Sequence, residues 1–248
     1  MCVIAYKARD VRFPTEKNVE EMWKKNPDGA GVMWRRNANG PVKFRKGFMK
    51  LEELKRFLDN NRAELEKSEV ALHFRITTHG GTCPKNCHPF VVGDDHHVMS
   101  GCAKRILMHN GILPFVPRRK DISDTGELAI RLGSFSSPRD ALGSFNECLE
   151  GNRIILMDET GTHFFGDRFK ESANKENAGI LYSNLNHESF GFGSYGSLGA
   201  SASWRSTWGE QCYYDRKDNV FRSAFTGKTV ALDDVDPDCL SDADYDAW

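Results

Sequence analysis

Hydrophobic and polar positions along the chain follow two periods, and each stretch predicts an element. Cys2-Val3-Ile4-Ala5 is a short apolar run that reads as a strand at the chain start. Gly31-Val32-Met33-Trp34 and Val42-Lys43-Phe44 flank the turn-forming Asn37-Ala38-Asn39-Gly40, which predicts a β-hairpin. From Leu51 to Leu65 the apolar residues Leu51, Leu54, Phe57, Leu58 and Leu65 recur at helical spacing with charges between them, so an amphipathic helix is expected to cover one face of a sheet. Val70 to Phe74 is strand-like and is broken by Thr77-Thr78-His79-Gly80-Gly81 and Cys83-Pro84; a further strand starts at Arg105 and ends at Asn110-Gly111.

Ser123 or Asp124 can cap a helix running to about Leu132, and Pro138 can open another reaching Cys148. Arg153 to Met157 and His163-Phe164-Phe165 form a second hairpin across Asp158 to Gly161. Strands, then helices, then strands predict a mixed α+β domain with one sizeable core. After Asn184 the pattern stops. Residues 189–204 carry no charge and nine Gly or Ser among sixteen, too little apolar surface to offset the entropy of ordering, so a loop or linker is expected there.

Charge sharpens the division. Lys and Arg number 34 against 35 Asp and Glu, a net charge of −1, which excludes a polycation built for a nucleic-acid backbone. Seven of the Asp residues lie in 233–248, which has no Lys or Arg, so an acidic, disordered tail is expected after a mildly basic domain spanning 2–232. Arg35-Arg36 and Arg118-Arg119-Lys120 are short clusters read as solvated faces rather than phosphate contacts. Lys7, Arg9, Asp10 and Arg12 interrupt any signal-peptide core, and no apolar run is long enough to span a membrane, so a cytoplasmic protein is expected. Seven Cys, an odd number, points to reduced thiols rather than a disulfide framework. Cys83, Cys87, His88, His96, His97 and Cys102 are dense, but Cys-x3-Cys-His is not a clean zinc spacing, and no metal is expected.

Cys2 carries the candidate chemistry. Removal of Met1 places a thiol and a free α-amine on one residue, and an amine of pKa about 7.7 to 8.0 can take the thiol proton at neutral pH. Met1-Cys2 is followed in order by Asn26-Pro27-Asp28-Gly29-Ala30-Gly31, by His73-Phe74-Arg75-Ile76-Thr77-Thr78-His79-Gly80 and by Asn86-Cys87-His88-Pro89. Met108-His109-Asn110-Gly111 and Ser123-Asp124-Thr125 complete the series. Over residues 2–165 this ordered set resembles the class II glutamine amidotransferases, N-terminal-nucleophile hydrolases that take ammonia from the glutamine side chain.

The resemblance implies a four-layer αββα sandwich with Cys2 at the end of a central strand, and a glutaminase half-reaction without cofactor. It makes Cys2 the nucleophile and Asn110 with the Gly111 N–H the oxyanion hole. Arg75 would take the α-carboxylate of glutamine and Asp124 its α-ammonium, with Thr78 and His79 supporting the pocket. Many members have Trp after the Arg, where this chain has Ile76, and the ammonia-using domain of the best-known members is not found, so a separate synthetase or transferase is the expected partner. Two rivals stand beside this reading: a hydrolase of another γ-glutamyl amide, and a non-catalytic binding module whose N-terminus is retained or blocked.

Overall fold

The computed structural model describes residues 2–78, 81–93, 97–113, 115, 117–188, 204–205, 211–215, 220–223 and 228–230. The chain divides into two compact units, Met1–Ser189 and Phe190–Trp248. The expected domain 2–232 takes in all but Met1 of the first and the described strands of the second; of the predicted loop 189–204, residues 189–203 lie outside the described residues, as does the predicted tail 233–248, and Trp204 opens a strand.

The first unit runs β1 (Val3–Lys7), α1 (Glu16–Lys25), β2 (Ala30–Arg35), β3 (Val42–Phe48), α2 (Leu51–Asn60), α3 (Arg62–Glu66) and β4 (Glu69–Phe74). It continues through β5 (Phe90–Val91), β6 (Ser100–Ala103), β7 (Ile106–Asn110), α4 (Asp124–Leu132), α5 (Pro138–Ser144), β8 (Arg153–Asp158), β9 (Gly161–Gly166), β10 (Lys170–Glu171) and β11 (Leu181–Tyr182). A seven-stranded sheet has the order β10-β11-β1-β4-β2-β3-β6, and a four-stranded sheet the order β5-β7-β8-β9. Every strand pair in both is antiparallel. The unit is thus a mixed α/β fold. The second unit holds β12 (Trp204–Arg205), β13 (Gln211–Asp215), β14 (Val220–Ser223) and β15 (Thr229–Val230), which form one antiparallel sheet in that order.

Two-residue alternation sorts the core of the first unit into three clusters. Val3 and Ala5 of β1, Val32 and Trp34 of β2 and Leu72 of β4 face Val19 and Met22 of α1, Leu54 and Leu58 of α2 and Leu65 of α3. Their neighbours Ile4, Met33 and Ala71 point the other way, against Ile106 and Met108 of β7 and Ile155 and Met157 of β8. On the far face of β7 and β8, Leu107, Ile154 and Leu156 meet Ala129 and Leu132 of α4 and Ala141 and Leu142 of α5.

Both hairpins form as the sequence predicts, with β2 pairing β3 and β8 pairing β9. The single helix expected over 51–65 is two, broken at Asn61, whose backbone N–H (3.2 Å) and side chain (2.7 Å) both donate to Phe57 O and close the last turn of α2. The helix after Pro138 ends at Ser144 and passes into a 3-10 turn, Asn146–Leu149, before reaching the expected limit. Arg35 corrects the reading of its pair as a solvated face: it is buried, donates to Glu69 Oε1 (2.7 Å), and also reaches Asp158 O. Arg118, by contrast, is exposed. No helix among the described residues is long and apolar enough to cross a membrane.

Candidate functional site

The polar residues at the strand ends meet where β1 and β4 pair. The register Val3↔Phe74 brings Cys2, one residue before β1, to the residues that follow β4. Ile76 N–H donates to Cys2 Sγ (3.3 Å), and the thiol donates to Ile76 O (3.4 Å). Both contacts use backbone, so the Ile side chain at this position leaves them unaffected. Burial pushes the Cys2 thiol above its ordinary pKa, opposed by the Ile76 N–H and the Arg75 guanidinium. Cys2 is partly buried, and its carbonyl accepts from Asn184 Nδ2 (2.7 Å).

Arg75 is buried, with Nη1 donating to Gly81 O (2.9 Å). Its backbone is fixed by the Asn26-to-Gly31 segment: Arg75 N–H donates to Gly29 O (2.8 Å), and Asp28 N–H donates to Arg75 O (3.0 Å). Asp28 Oδ2 accepts Thr77 N–H at 2.8 Å. Thr78 is exposed, with no hydrogen bond to another described residue, and His79 lies outside the described residues.

Asn110 ends β7. Alternation puts its side chain on the face shared with Ile106 and Met108, the face turned to the seven-stranded sheet. There its Nδ2 donates to Ser183 Oγ (2.8 Å), which also receives the Ile4 N–H (2.8 Å), so Asn110 is tied to β1 two residues from Cys2. Gly111 has φ +144°, and a Cβ there would collide with the Asn152 side chain, so only glycine suits the position.

Asn152 belongs to a buried chain beneath this turn. Its Nδ2 donates to Glu150 O (3.1 Å), which aims Oδ1 at His109 Nε2 (2.8 Å). Burial holds His109 below its ordinary pKa; the neutral ring therefore donates from Nε2 and takes the Thr125 hydroxyl proton at Nδ1 (2.9 Å). Asp124 opens α4 beside Thr125, under the Ser123 cap. Its Oδ1 accepts Thr125 N–H (2.8 Å), and its Oδ2 accepts Leu113 N–H (3.1 Å) across the loop from Gly111. His73 donates from Nε2 to His109 O (3.1 Å) and stacks on His88 with ring centroids 3.9 Å apart.

Cys2, Arg75 and Asn110 are thus gathered by short links, with Gly111 next to Asn110 and Asp124 joined through the following loop. Ser183, Asn184, Asp28 and Asn152 complete the assembly and were not singled out as individual residues in the sequence. The signal for Ser183-Asn184 is a polar pair directly after the apolar Ile180-Leu181-Tyr182, the same strand-end pattern that marks Asn110. Of the Cys and His cluster, Cys87 is buried with its thiol near Met49 Sδ (3.9 Å), Cys102 is exposed, and His96 lies outside the described residues. Among the described residues no three His, Cys, Asp or Glu side chains are grouped to hold a metal ion.

Compared with known proteins, the chain matches no family model and no curated protein. Among solved structures it is similar to a glutamine phosphoribosylpyrophosphate amidotransferase from B. subtilis complexed with ADP and GMP, at 16% identity and a TM-score of 0.46 over 73% of this chain and 41% of that one. A structure described as the allosteric regulatory enzyme of purine biosynthesis gives 17% identity and a TM-score of 0.46 over 74% of this chain and 42% of that one. The chain therefore spans about two-fifths of the length of either structure.

Proposed function

We propose that the chain is a glutamine amidotransferase domain of the N-terminal-nucleophile type, in which Cys2 hydrolyses the side-chain amide of glutamine and supplies ammonia to a separate synthetase or transferase. The observation that carries the reading is the meeting of polar segments from four distant stretches around the second residue of the chain: Cys2 on the backbone of Ile76, Arg75 beside it, and Asn110 bonded through Ser183 to β1. The three apolar clusters, one between the sheets and one on each outer face, support a four-layer αββα arrangement.

A thiol raised by burial stays protonated at neutral pH and needs a base at hand. With Met1 removed, the α-amine of Cys2 takes that proton, and Sγ attacks the amide carbon of glutamine. The oxygen gains the negative charge, held by Asn110 and the Gly111 N–H, and the intermediate collapses as the amine returns the proton to the departing nitrogen. Ammonia leaves and a γ-glutamyl thioester remains. Water, deprotonated by the same amine, then releases glutamate and restores the thiol. Arg75 takes the α-carboxylate as a planar fork and Asp124 the α-ammonium, a pairing that selects free glutamine over glutamine within a protein. Thr78 and His79 support the pocket.

The experiment is mass spectrometry and glutamine hydrolysis on one preparation. Active protein should lack Met1, and the glutamine analogue diazo-oxo-norleucine should alkylate Cys2 alone and abolish ammonia release. Full activity with Met1 in place, or in Cys2→Ala, would sink the mechanism. Turnover of other γ-glutamyl amides far above glutamine would move the assignment to that substrate class.

A further inference from the structure

The proposed reaction requires Asn110 to offer hydrogen-bond donors to an oxyanion, and Ser183 is bonded to its carboxamide. Ser183 is fully buried directly after β11, and its N–H donates to Ile4 O (2.9 Å). Its Oγ lies 2.8 Å from the Ile4 backbone nitrogen and 2.8 Å from Asn110 Nδ2, both of which donate to it. In that state the hydroxyl receives two bonds and its own proton has no acceptor among the described residues. Asn110 Oδ1, buried on the other side of the carboxamide, has no donor among the described residues. Both mismatches have one remedy.

The Ile4 N–H belongs to the backbone of a central strand and can only donate, so Ser183 Oγ must accept there and has a single proton left to give. The two ends of a carboxamide have the same shape, and a half turn about the Asn110 Cβ–Cγ bond exchanges them. After it, Oδ1 accepts the Ser183 proton, and Nδ2 stands where the buried acceptor stood. We infer that Ser183 is a positioning residue for Asn110: the Ile4 N–H aims its hydroxyl proton at the carboxamide and thereby holds the Nδ2 donors on the end away from Ser183, the end that the proposed reaction gives to the oxyanion. This rests on the glutaminase reading. Donors left unpaired in the resting site are what an oxyanion hole needs, because a donor already engaged with protein has to break a bond before it can serve. Asn184, next in the chain, holds the Cys2 carbonyl, so one turn of backbone after β11 fixes both the nucleophile's residue and the oxyanion donor.

The test is a double-mutant cycle on glutamine hydrolysis with neutron diffraction of the wild-type protein. Ser183→Ala should lower kcat about tenfold to a hundredfold, short of the 10²–10³ expected for deleting the donor itself, with KM little changed. Ser183→Thr, which keeps the hydroxyl, should restore it. In an Asn110→Ala background Ser183→Ala should lower kcat no further, since a residue acting only through Asn110 has nothing left to orient. An equal loss in both backgrounds would overturn the inference and leave Ser183 a structural residue. Diffraction decides the orientation without reference to activity or to the folding of any variant: deuterons on the amide end away from Ser183 are expected, and deuterons on the end facing it would overturn the inference. A wild-type protein that folds yet turns over no glutamine would overturn the glutaminase reading alone, the deuteron positions still judging Ser183.

Discussion

The Asp124 carboxylate is committed on both oxygens before any substrate arrives, to Thr125 N–H and to Leu113 N–H. Arg75 differs in that its backbone carries the pairing with Asp28 and Gly29, while its guanidinium donates to the carbonyl of Gly81, an exposed residue that water can serve. The two proposed substrate contacts should therefore respond differently to alanine. Arg75→Ala should raise KM for glutamine strongly through the lost carboxylate contact. Asp124→Ala should raise KM and also destabilise the fold, because a buried donor left without its acceptor costs about 1–3 kcal/mol. Steady-state kinetics paired with urea denaturation separate them; an Asp124→Ala protein of wild-type stability would refute the structural half of its assignment. Cys2, Arg75, Asn110 and Asp124 were legible in the sequence because their chemistry sits in ordered motifs. Ser183 was not, because what makes it matter is a partner 179 residues away, and Asp28, though inside one of those motifs, takes its role from Thr77, 49 residues on.

Helix α4 places Asp124 and Thr125, so its N-terminus bears on the site as well as on stability. Ser123 caps it in extended conformation, its hydroxyl accepting Gly126 N–H (3.1 Å). Ser123→Ala should cost about 1 kcal/mol, within the usual range for a lost N-cap, and raise KM for glutamine as the first turn loosens around Asp124. Ser123→Asp, which keeps a capping oxygen, should recover most of the stability; denaturant midpoints for the three proteins check this, and equal midpoints would remove the cap from the account. This start was readable because Ser-Asp-Thr before a helical stretch is a local signal. Helix α1 was not: among its ten residues only Val19, Met22 and Trp23 are large and apolar, too few to show a period, and its Thr15 cap does not by itself announce a helix. Strands β10 and β11, two residues each, exist through the pairing of β11 with β1 and of β10 with β11, and leave no period to detect.

At the scale of the whole first unit, sheet order is the feature least accessible to the sequence. Strand β1 pairs with β4 and β11, elements far along the chain, and no local pattern encodes which strands become neighbours. That pairing nevertheless carries the site, and it carries a set of buried imidazoles with it. His73 of β4 is held down to about 3, mainly by burial and also by Arg75, while its bond to the His109 carbonyl works the other way. His88, stacked on it, lies well below the ordinary value through burial, with His73, His109, Arg75 and Lys46 adding to the effect. His109 is lowered by burial against the opposing pull of Asp124, and His187 is lowered to about 4 by burial. Each is neutral in the folded protein and free to take a proton near pH 6.5 once unfolded. The unfolded chain therefore binds more protons than the folded one below that pH, and stability falls as acid is added. It should be nearly flat above pH 7 and decline from about pH 6.5 toward pH 4, each such histidine adding up to about 1.4 kcal/mol per pH unit to the slope. Urea denaturation at pH 7.5, 6.5, 5.5 and 4.5 measures this directly, and His187→Gln, outside the proposed catalytic set, should reduce the slope by one proton's worth. A stability that holds constant from pH 7.5 to 4.5 would mean that these rings are not buried neutral, and the hydrogen-bond chain running through His109 to Thr125 and Asn152 would fall with that premise.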